Sequence, residues 1–62
     1  MEIKILKINE VQLITGLSRS TIYALIEQGK FPKQIKLSER SVGWLESEVQ
    51  DWLKERISIS RK

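Results

Sequence analysis

Residues Leu17 to Pro32 read LSRSTIYALIEQGKFP, and this stretch decides the fold. It has the form of one amphipathic helix with a marked start and a marked stop. Ser18 is a strong N-cap, and Gly29 suits the left-handed position that follows a helix end. Pro32 blocks any continuation. Ile22, Leu25 and Ile26 fall at i, i+3 and i+4, the spacing of a buried stripe. Arg19, Ser20, Tyr23 and Glu27 therefore face outward or flank the core. Ser18, Arg19, Ser20 and Thr21 put hydroxyls and a guanidinium on the first turn, more than a cap alone needs.

Upstream, ILKINEVQLITG predicts a helix over Ile8 to Thr15. Lys7 falls at its N-cap, a poor choice, but Glu10 at N3 can reach back to the N-cap amide and favours the positive helix end. Gly16 ends this helix. Val11 and Ile14 form its apolar side, with Leu17 just past the turn. Before it, Ile3 and Ile5 alternate with Glu2 and Lys4, which fits a short strand but is too brief to decide.

Downstream, KQIKLSERSVGW predicts a hairpin over about residues 34–44, with Ile35 and Leu37 on one strand, Val42 and Trp44 on the other, and Ser-Glu-Arg as the turn. A hairpin this short is marginal alone and must lie on the helices. Gly43 relieves crowding beside an aromatic residue or marks a bulge. ESEVQDWLKERI predicts a third helix, with Ser47 and Gln50 as a capping box and Val49, Trp52, Leu53 and Ile57 as the apolar stripe. Glu48 and Asp51 lie near its positive end, Lys54 and Arg56 near its negative end. The polar tail from about residue 58 is expected to fray. Trp44 and Trp52 are expected in the core.

The 62 residues make one small domain, which buries only about 60% of its unfolded surface. The chain has no Cys and no His, which excludes disulfides, Cys/His zinc sites and His-based catalysis. It also lacks a glycine-rich phosphate loop and a carboxylate pair in an apolar surround, so an enzyme is not expected, nor a cofactor. MEIKILK is too short and broken for a signal peptide, and no apolar run approaches a membrane span, so a cytoplasmic protein without a membrane partner is expected. Net charge is +3, and its placement matters more than its size. Residues 1–30 hold four bases and three acids, and residues 46–62 hold four of each; residues 31–45 hold Lys33, Lys36 and Arg40 against Glu39 alone. Such clustering is the electrostatic footprint of a nucleic-acid binder.

Helix, tight turn, helix, hairpin and helix in that order describe a mostly α winged helix-turn-helix. The recognition helix spans about residues 18–28, and the hairpin is the wing. In this layout the first turn of the second helix meets base edges in the major groove of double-stranded DNA. Arg19 can bond bidentately to guanine, and Ser and Thr can bond bases or phosphates. The candidate DNA-binding residues are Ser18, Arg19, Ser20, Thr21 and Tyr23 on the helix, and Lys36, Ser38, Arg40 and Ser41 on the wing. Each has a plainer reading. Ser18 is first a cap, Thr21 can bond local backbone, Ser20 can be merely solvated, and Tyr23 can pack its ring on the wing. Arg19 opposes the helix dipole and so wants a reason outside folding. The acids of the third helix, Glu46, Glu48, Asp51 and Glu55, form a solvated face directed away from DNA.

GLSRSTIY, GKFP, IKL and VGW followed by E-V-x-x-WL, in that order, resemble the AlpA family of phage and prophage regulators, within the MerR-like winged-helix and small excisionase group. The resemblance runs from about Leu6 to Arg56. It implies a DNA-binding regulator of mobile elements, either a transcriptional activator or an excision factor that bends DNA beside an integrase. It implies a recognition role for Ser18, Arg19, Ser20, Thr21 and Tyr23, a backbone role for Lys36, Ser38, Arg40 and Ser41, and a core role for Val42, Trp44, Trp52 and Leu53. Ser38 and Glu39 depart from the family pattern, since glycines are common at this tip. Glu39 adds a charge that DNA repels, which argues against close minor-groove insertion. A protein-interaction module without DNA binding is a further reading of the thin core and acidic third helix. A domain this small can act as a monomer on repeated sites or as a dimer.

Overall fold

In a computed structural model, residues 2–61 are described, and their elements run β1 (Ile5–Leu6), α1 (Ile8–Thr15), α2 (Arg19–Glu27), β2 (Ile35–Ser38), β3 (Ser41–Leu45) and α3 (Glu46–Ser60). The first two helices end as their glycines predict. Gly16 takes a φ of 74°, and its N–H bonds the Gln12 carbonyl at 2.8 Å. Gly29 takes a φ of 71°; its N–H reaches Ile26, and that of Lys30 reaches Leu25, the paired bonds of a Schellman ending. At the start of α1, the Glu10 carboxylate accepts from the Lys7 main-chain N–H at 2.9 Å, as its N3 position predicts.

Gly16 to Ser18 form the tight turn between α1 and α2, and the β2–β3 hairpin follows α2, so the chain is a winged helix-turn-helix. The hairpin tip is Glu39–Arg40, one residue tighter than the Ser-Glu-Arg turn, because Ser38 pairs with Ser41. β3 lies in the middle of a three-stranded antiparallel sheet of order β1-β3-β2. Ile5 pairs with Leu45 and Leu6 with Trp44. The alternation around Ile3 thus yields a strand of Ile5 and Leu6 only, while Ile3 stays exposed.

Leu6, Val11, Ile22, Phe31, Trp44 and Val49 form the buried core. Fully burying such side chains contributes roughly 1.5–3 kcal/mol each. Phe31 is the member that helical or strand periodicity cannot reveal, because it sits in the loop after α2. Its ring meets Trp52 edge-on at a centroid distance of 4.8 Å. Ile14 lies largely outside the core, and Leu13 beside it is more exposed still.

The third helix differs from the sequence expectation at its start. It begins at Glu46 with Leu45 as N-cap and no side-chain cap, so Ser47 and Gln50 do not form the expected capping box. The reason lies in the sheet. β3 runs straight into the helix, and the Glu46 N–H is already satisfied by the Lys4 carbonyl at 2.9 Å. At the other end the helix runs to Ser60, three residues past Ile57. Lys54 and Arg56 consequently lie in mid-helix, and no base occupies the last turn. Ile57 is 49% exposed, so the buried part of the stripe is Val49 with half-buried Trp52 and Leu53. No described helix is long and apolar enough to cross a membrane.

Candidate nucleic-acid interface

The first turn of α2 is built around Ser18. Its backbone is extended (φ −75°, ψ 158°), and its hydroxyl oxygen accepts from the Thr21 N–H at 3.2 Å. The same oxygen lies 2.7 Å from the Thr21 hydroxyl and 3.3 Å from the Ser20 hydroxyl. The three hydroxyls therefore interlock, yet all remain exposed; Ser18 uses its one donor and two acceptor positions within the network, while Ser20 and Thr21 keep hydrogen-bonding capacity beyond it. Arg19 stands apart. It is exposed, and among the described residues no hydrogen bond or ion pair engages its guanidinium. No acid lies in this first turn to offset its charge against the helix dipole.

Tyr23, one turn on, is half-buried. Its ring is tilted 60° to that of Trp44 with centroids 6.3 Å apart. The ring thus braces the base of the wing, and Tyr23 also borders a shallow groove of about 520 Å³. Ala24, Ile26, Glu27, Lys33 and Gln34 line the rest of that groove. Lys33 belongs to the basic cluster of residues 31–45 but not to the sequence-derived site. Its place beside the outer face of α2 follows from the Schellman turn, which folds the chain back immediately after the helix.

On the wing, Lys36, Ser38 and Arg40 are exposed, and among the described residues their side chains make no hydrogen bond or ion pair, while Ser41 is half-buried. The Ser41 hydroxyl accepts from the ammonium group of Lys7, which also reaches the Val42 carbonyl at 3.3 Å. Ser41 is therefore engaged within the fold, unlike the other wing candidates. The structure thus separates the nine candidates into a hydroxyl cluster (Ser18, Ser20, Thr21), free cations (Arg19, Lys36, Arg40), a bracing ring (Tyr23), an exposed hydroxyl near the tip (Ser38) and a tethered one (Ser41). Among the described residues no group of acids could hold a metal ion.

The two tryptophans fix the loop that joins the helix to the wing. Trp44 donates from its indole nitrogen to the Pro32 carbonyl at 3.1 Å, and Trp52 donates to the Lys30 carbonyl at 2.7 Å. The segment Lys30 to Pro32 is thus held from β3 and α3 at once.

The profile of the family described as prophage CP4-57 regulatory protein (AlpA) matches residues 4–57. The DNA-binding transcriptional activator AlpA of Escherichia coli (strain K12) is 35% identical in an alignment 63 positions long, which covers 92% of this chain and 90% of that protein. An uncharacterized protein, ORF88, of Enterobacteria phage P4 is 49% identical over 55 residues. That match covers 89% of this chain but 62% of the phage protein, so the chain spans less than two thirds of that relative's length. With nearly its whole length matched, this chain belongs to the AlpA family of prophage regulatory proteins.

Proposed function

We propose that this protein binds double-stranded DNA with sequence preference and regulates transcription from a prophage or related mobile element. The observation that carries the reading is Arg19. It is an exposed guanidinium, without a partner among the described residues, on the first turn of the second helix of a helix-turn-helix, at the position where such helices meet base edges. In this reading α2 enters the major groove and Arg19 bonds a guanine bidentately. Ser20 and Thr21 turn their remaining hydrogen-bonding capacity to bases or phosphates, and free amides near Ser18 favour a phosphate. Lys36 and Arg40 supply charge to the sugar-phosphate backbone, with Ser38 beside them.

Activation is the regulatory sense we favour, because the E. coli relative is a transcriptional activator. The protein then works in the cytoplasm, on DNA, by binding rather than by catalysis. A monomer on repeated half-sites and a dimer are both compatible with this role.

The test is a titration of the intact chain with duplex DNA at several salt concentrations. The expected result is an affinity that falls steeply and linearly, on logarithmic axes, as salt rises. Binding to a protein partner with little salt dependence, and none to duplex, contradicts the proposal and favours an interaction module. A DNA-bending measurement on the bound site separates a regulator from an excision factor: a large bend with stimulation of an integrase supports the latter.

A further inference from the structure

Lys7 breaks a local rule. It stands at the N-cap of α1, where its ammonium opposes the helix dipole and its side chain offers no acceptor to the free amides. Residues that conflict with local preference often serve another level of the structure. Lys7 directly follows β1, which pairs with β3 only at Leu45 and Trp44. Beyond that point, Ser41 to Gly43 have β2 alone as a strand partner, and the β2–β3 register is irregular between Lys36 and Ser38. A two-stranded hairpin is marginal by itself. Where the β1 ladder stops, the Lys7 side chain continues it. Its ammonium donates to the Ser41 hydroxyl and to the Val42 carbonyl, across 34 and 35 residues of sequence. Its own main-chain N–H is held by Glu10.

We infer that Lys7 is a positioning residue for the wing. Its ammonium fixes the outer half of β3, and through it Lys36 and Arg40, relative to α2. The positioning itself is a property of the free protein; its consequence for DNA rests on the function proposed above.

The test uses Lys7→Met, which keeps the apolar stem, and Ser41→Ala, which removes the acceptor. In the free protein, backbone order parameters at Glu39, Arg40 and Ser41 are expected to fall in both variants from the rigid range of about 0.85 toward 0.6. Unchanged order in both overturns the inference, whether or not the protein binds DNA. Where the parent protein binds duplex, Lys7→Met is expected to weaken binding about two- to fivefold. That loss should vanish in a Lys36→Ala/Arg40→Ala background, because the tether then has no wing cation to position. Additive losses overturn the positioning role and make Lys7 a phosphate contact in its own right. A parent protein that ignores duplex while wing order still falls sinks the DNA-binding proposal and leaves the positioning of the wing standing.

Discussion

The indole N–H of Trp44 donates to the carbonyl of Pro32 at 3.1 Å, tying the central strand to the loop that leaves α2. Trp44 is completely buried, whereas Trp52, which holds the Lys30 carbonyl of the same loop, is half-exposed. The bond to Pro32 is part-buried and the one to Lys30 exposed; a carbonyl shielded from water that loses its donor keeps more of the desolvation penalty, while an exposed one turns to water. Trp44→Phe is therefore expected to cost about 1–3 kcal/mol plus the lost packing, and Trp52→Phe distinctly less. Urea unfolding of the two variants checks the order; equal losses would mean that burial does not set it.

Gly43 meets β1 where no side chain fits. A Cβ there would collide with the Ile5 side chain and lie 3.0 Å from the Leu6 carbonyl oxygen. The backbone of a paired strand cannot give way cheaply, so Gly43→Ala is expected to destabilise by about 1–3 kcal/mol, as overpacked sites do. Thermal unfolding should show a drop of several degrees. An unchanged midpoint would mean that β1 detaches without cost.

Two serines that both look like caps should behave differently. Ser18 accepts from the Thr21 amide, so Ser18→Ala is expected to cost about 1 kcal/mol. Ser47 lies inside the first turn of α3, exposed and outside any capping bond, so Ser47→Ala should fall within about 0.5 kcal/mol of the parent. Denaturant midpoints for the pair decide; a costly Ser47→Ala would restore the capping box that the sequence suggests.

These contrasts also show how far the fold was legible in the sequence. α1 and α2 could be bounded to within a residue because their ends carry local chemistry: Glu10, Gly16, Ser18 and Gly29 each satisfy or terminate a helix by themselves. α3 could not, because its first amide is satisfied by Lys4, some forty residues away in sequence, and no nearby side chain records that. β1 is two residues long, and its partners Trp44 and Leu45 lie at the far end of another element. Phe31 packs from a loop, where no periodicity marks a core position. At the candidate site the residue types were legible and their engagement was not. Ser41 looked like a free wing hydroxyl until Lys7 was seen to reach it. Lys33 sat in the basic cluster without a sign that the chain folds it back beside α2.

The wing cations should act through charge. Arg40→Ala is expected to weaken binding to all duplex sequences alike and to reduce the salt slope by about one unit. Salt titrations of parent and variant measure this. An unmoved slope would remove Arg40 from the phosphate contacts and shift attention to Lys36 and Lys33.

Arg19 carries the claim that the first turn of α2 reads bases. The most direct measurement is selection of bound sites from random duplex DNA, run in parallel with the parent and with Arg19→Ala and read by sequencing. The parent is expected to enrich a defined site, whose repeat spacing also reports the stoichiometry. Arg19→Ala should lose about 1–3 kcal/mol on that site and relax its preference at one guanine position. No enriched site for the parent, or the same base preference in both proteins, would contradict base recognition by Arg19.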